Sequence, residues 1–167
     1  MSIRKIVSLV AAVAFTAVSA APAFAVTVSR ADGQPMNPNG EPFSVSGLTS
    51  LSKGSISATC NATFNGTITS TGIVNITSTQ FAGGPTCGLI SGTASSTSPW
   101  TGQADSTTQL SINNVQVNVT LLGACGPTKV VTAWNDANSS LTFNNSVLPP
   151  NCTVSGTVTT SPKFHVQ

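Results

Sequence analysis

Four cysteines, Cys60, Cys87, Cys125 and Cys152, are the residues whose type and spacing point most directly to chemistry. The first two stand 27 residues apart, and so do the last two. An even count with wide gaps reads as disulfides made in an oxidising compartment. The repeated interval favours Cys60–Cys87 and Cys125–Cys152, although three connectivities are possible and spacing alone leaves the other two open. Zinc would need close cysteine pairs or nearby histidines, and the lone histidine, His165, is far from all four cysteines in the sequence, so no metal is expected.

The inventory for catalysis is thin. His165 stands third from the end, the carboxylates are Asp32, Glu41, Asp105 and Asp136, and there is no tyrosine. A Ser–His–Asp arrangement would have to recruit His165 from a chain end, and no Gly-x-Ser-x-Gly elbow presents a nucleophile. Asp105 and Asp136 lie in loop-like contexts, and nothing in the spacing sets two carboxyls across a cleft as glycoside hydrolysis requires. The reading is of a non-enzyme with no cofactor. Of the two tryptophans, Trp134 ends a strand and reads as a core anchor. Trp100 follows Pro99 at the end of a Ser/Thr/Gly loop and is the candidate surface contact.

These residues need elements to position them, and the pattern supplies strands. From Ser55 to Thr69 every odd position is Ser, Thr or Asn, while Ile56 to Ile68 supply apolar residues, Cys or Gly at every even one. Such a period of two predicts a strand with one face buried and the other covered in uncharged polar groups. Hairpins are expected around Ser70-Thr71-Gly72 and around Asn135–Asn138, one inside each cysteine interval. Leu110 and Ile112 differ in parity from Val115, Val117, Val119 and Leu121, so a bulge or tight turn at Asn113-Asn114 is needed to keep one buried face. Phe164 and Val166 make a short closing strand. About eight to ten strands with no helical period predict a single-domain, all-β antiparallel sandwich or flattened barrel carrying two disulfides.

The N-terminus reads as an export signal. Arg4 and Lys5 precede an apolar run from Ile6 to Ala21, and Ala23-Phe24-Ala25 is a small-x-small cleavage site. The expected organisation is residues 1–25 as signal peptide, 26–43 as a turn-rich lead-in and 44–167 as the β-domain. No later run is apolar enough to span a bilayer. Beyond residue 25 the charges balance, with Arg30, Lys53, Lys129 and Lys163 against the four carboxylates. That balance argues against nucleic-acid binding and leaves little repulsion between copies, so self-association is easier. Localisation is therefore expected to be secreted or on the outer cell surface.

The segments SPWTGQADSTTQLSINNVQVNVTLLGACGP and VVTAWNDANSSLTFNNSVLPPNCTVSGTVTTSP, with CNATFNGTIT and the CGLISGT around Cys87, resemble the small secreted bacterial activators of alkane oxidation, the Pra-type family. The resemblance implies an exported factor that promotes hydrocarbon use by acting at an oil–water or cell surface. Its partner would be hydrocarbon or the cell surface, and no catalytic or cofactor residues come with it. Relatives are also linked to biofilm and adhesion, so a subunit of a surface fibre or biofilm matrix is the alternative. A lectin-like module reading glycans through Trp100 is a third reading.

Overall fold

The computed structural model describes residues 26–120 and 122–167. The expected signal peptide, residues 1–25, lies outside the described residues, as does Leu121. The first strands are β1 (Val28–Arg30), β2 (Glu41–Lys53), β3 (Ile56–Ile68), β4 (Ile73–Ala82) and, after a 3-10 turn at Cys87–Leu89, β5 (Ile90–Gly92). They are followed by β6 (Trp100–Ser106), β7 (Gln109–Val119), β8 (Gly123–Asn135), β9 (Ser140–Leu148), β10 (Cys152–Ser161) and β11 (Phe164–Val166).

Eight of these strands, β2-β3-β4-β6-β7-β8-β9-β10, run antiparallel to their neighbours, and β10 pairs back onto β2. Of the two architectures expected from the sequence, the closed barrel forms. The alternation of β3 explains how: Ala58, Cys60, Ala62, Phe64 and Ile68 are buried, while Ser57, Thr59, Asn61 and Asn65 are exposed. In β7 the register shifts twice between Ile112 and Val117, and Asn114 takes φ 59°. The bulge returns Leu110, Ile112, Val115, Val117 and Val119 to one buried face. A second bulge sits at Gly156 (φ +139°), where a Cβ would overlap the Leu48 carbonyl oxygen, so only glycine lets β10 lie against β2 there. On the outer wall hydroxyls and amides meet across strands, as Ser50 with Ser57 (3.3 Å), Asn65 with Ser78 (3.0 Å) and Thr142 with Thr157 (3.0 Å).

The two ends of the barrel differ. At one, β1 pairs antiparallel with β11, and this ribbon sets Val28, Phe164 and Val166 into the barrel base. The stretch expected as a lead-in therefore contains β1 and the first residues of β2. Arg30 ties the ribbon to the barrel by bonding Glu41 at the start of β2 as well as Asp32. The Arg30 hydrogen bond holds the Asp32 carboxyl down at about 2. Asp136 also belongs to this end: its Oδ1 accepts from Val166 N (2.7 Å) and Trp134 Nε1 (3.2 Å), and its Oδ2 meets His165 Nδ1 (2.7 Å). Burial pushes the Asp136 carboxyl up, but the bonds from Val166, His165 and Trp134 outweigh it and hold the group below its usual value. Among the described residues the opposite end has no such ribbon.

Candidate functional site

The wall is fully laddered at the plugged end and opens along two seams towards the other. β4 pairs with β6 only over Ile73–Ile76, after which β5 lies beside β7 instead. β8 pairs with β9 only over Ala133–Asn135. A disulfide spans each seam: Cys60 of β3 bonds Cys87 in the 3-10 turn, and Cys125 of β8 bonds Cys152 of β10 beyond the end of β9. Their Cα atoms are 5.6 and 5.9 Å apart, and all four cysteines are buried. Both staples therefore stand at the open end. Where hydrogen-bonded strand pairing gives out, covalent links hold the rim.

Between these staples the β2–β3 tip, the 3-10 turn with β5, and the β7–β8 turn surround an apolar cavity of about 190 Å³. Leu51, Ile56, Ala58, Leu89, Ile90, Val119 and Leu122 line it, and Lys53, Thr86 and Thr120 are its polar members. Ile56 (47 % exposed) and Leu89 (41 %) leave apolar surface facing water here, which a folded domain retains at a cost in solvation unless something covers it. Lys53 Nζ donates to the Ala124 carbonyl at 2.9 Å, laying the one charged group of the cavity lining across the rim.

Smaller cavities lie beneath the mouth. Leu51, Ala58 and Ile90 also line a cavity of about 50 Å³, which shares Phe64, Ile76, Ile112 and Phe143 with another of about 40 Å³ above the plug. The aromatic rings meet along this axis, with Phe64 centroids 6.2 Å from Trp100 and 6.4 Å from Phe143. An apolar column thus runs down the barrel, wide at the mouth and nearly filled by side chains below it.

Trp100 stands in this column and not on the surface. It is 4 % exposed, and its Nε1 donates to Thr93 Oγ1 at 3.2 Å. The Pro-Trp step that suggests an exposed loop is where β6 begins, and the inward parity of that strand carries the indole into the core. Trp134 is likewise buried (8 %). The mouth residues escaped the sequence reading because they come from three distant segments. The one available signal was apolar Leu89 and Leu122 beside Gly/Thr turns. Asp105 accepts from Ser111 Oγ at 3.2 Å, and among the described residues no group of three His, Cys, Asp or Glu could hold a metal. No helix of the described residues is long and apolar enough to cross a membrane.

Fold and site together define a disulfide-bonded, eight-stranded antiparallel barrel, plugged at one end by its terminal strands and open through an apolar mouth at the other. The family model of the PraA/PraB-like alkane oxidation protein activators matches residues 1–167, and the chain belongs to that family. Comparison with curated proteins finds no match, and comparison with solved structures finds none.

Proposed function

We propose that the protein is an exported, non-enzymatic surface factor that promotes hydrocarbon use by contacting apolar molecules at an oil–water or cell surface. The observation that carries this reading is the apolar mouth, flanked by two disulfides, in a family named for activating alkane oxidation. Removal of residues 1–25 as a signal peptide belongs to the same proposal, and the disulfides suit an oxidising destination. A hydroxyl-covered barrel can adsorb through its rim while its core stays folded, because the staples sit at the rim itself. Barrel closure also pairs most of the strand edges on which edge-to-edge fibre growth would rest, leaving the β4–β6 and β8–β9 seams, which favours surface action over a fibre subunit.

The test uses the purified mature protein, oxidised and reduced, in oil–water tension and hexadecane emulsification assays, beside complementation of a deletion strain growing on hexadecane. Oxidised protein should lower the tension and restore growth, and reduction should weaken both. Failure of oxidised protein in both assays refutes the proposal.

A further inference from the structure

The charges of the barrel are distributed unevenly along its axis. Asp32 and Glu41 bind Arg30 at the plugged end, Asp136 holds β11 there, and Asp105 stands near the plugged end of β6. These are all four carboxylate residues of the sequence. The mouth holds none of them, and it holds Lys53, whose ammonium has a carbonyl partner but no carboxylate among the described residues. An apolar cavity with an unneutralised cation on its rim is complementary to a molecule with an apolar body and an anionic head.

From this juxtaposition we infer that the mouth binds the alkyl end of a single-chain carboxylate, a fatty acid, with the head on Lys53 and the chain directed into the column. The inference rests on the reading of the mouth as the apolar contact site and names its ligand class. Four observations support it. The lining offers hydrogen-bonding groups only at Lys53, Thr86 and Thr120, so the body of the ligand has to be hydrocarbon. Leu51, Ala58 and Ile90 line both this cavity and the smaller one beneath it, so the far end of a bound chain meets the apolar core and not solvent. A cavity of about 150 Å³ can hold benzene, so about 190 Å³ has room for a chain of about eight carbons. A carboxylate head is also what complete oxidation of an alkane terminus leaves, so the ligand class lies within the chemistry of the family's name.

Calorimetric titration of the oxidised mature protein tests this, using hexanoate, octanoate, decanoate and dodecanoate below their micelle-forming concentrations, with the primary alcohols of the same lengths as neutral counterparts. Binding should saturate, and affinity should rise by up to about tenfold per two methylenes, then level off near the octanoate–decanoate step as the cavity fills. Lys53→Glu should weaken decanoate about fivefold or more and leave decanol within about twofold, and added salt should erode the acid's advantage. Leu89→Gln, at an exposed position where folding is spared, should weaken acid and alcohol alike; circular dichroism checks that both variants remain folded. Absence of saturable binding overturns the inference. So does affinity that climbs through dodecanoate without levelling, or equal losses of decanoate and decanol in Lys53→Glu. Protein that restores growth on hexadecane without saturable fatty-acid binding refutes this inference and leaves the surface-factor reading standing. Chain-length-limited binding by protein inert at interfaces and in growth does the reverse.

Discussion

Replacing Phe164 by alanine tests whether the terminal ribbon belongs to the barrel's cooperative core. Phe164 is 1 % exposed, and its backbone N–H donates to Ser139 Oγ at 2.8 Å, a hydroxyl that also bonds Thr160. Its ring borders the lower cavity of about 40 Å³, so truncation enlarges an existing void that the laddered strands around it cannot collapse. Loss of the ring from an apolar site costs roughly 2 kcal/mol in transfer. An added void on the order of 80 Å³ costs about 2 kcal/mol more. The sum, about 4 kcal/mol, is a large part of the roughly 5–15 kcal/mol by which a domain is stable. Thermal unfolding should move down by about 10–15 °C, and the urea midpoint should fall with m unchanged. Phe81→Ala is the internal comparison: that ring is only partly buried and meets Phe64 edge-on at 6.0 Å, so it should cost about 1–2 kcal/mol. A Phe164→Ala loss below about 1.5 kcal/mol, or a separate early transition with the main midpoint unmoved, would show that β1 and β11 melt independently of the barrel.

Two further outcomes follow from the staples and from the Asp136 cluster. The disulfides close intervals of equal length, 27 residues each, so chain entropy assigns each about 3–4 kcal/mol. Urea unfolding of the paired alanine variants, Cys60/Cys87 and Cys125/Cys152, should give losses of that size and similar to each other; a difference above about 2 kcal/mol would mean that native-state packing, not loop closure, sets their worth. Asp136 is held below its unfolded value, so its stabilisation is complete above about pH 4 and is lost as pH falls through the depressed folded value. Asp136 and His165 side chains are 40 % and 44 % exposed, so screening leaves Asp136→Asn a cost of only about 1 kcal/mol at neutral pH. Melting curves against pH should show wild type and variant converging in acid, and a constant gap down to the lowest pH would refute the assignment.

The sequence alone determined whatever depends on local period. Strand β3 could be read because successive side chains of an extended backbone point to opposite faces, and its buried and exposed residues follow that alternation. The bulge in β7 was legible from the parity change at Asn113-Asn114, since one buried face demands an extra residue there. The β3–β4 and β8–β9 hairpins and the closing strand β11 were marked by turn residues beside alternating runs. Tertiary structure decided what depends on distant pairing. Barrel or sandwich turned on whether β10 meets β2, and neither strand's own alternation carries that information. Trp100 took a core position because β6 enters the wall in inward register, whereas its Pro-Trp context describes only the turn before it. The mouth is the clearest case. Leu51, Leu89 and Val119 are unremarkable apolar residues in three separate segments, and they become one rim only when closure brings the same ends of β2, β5 and β7 together.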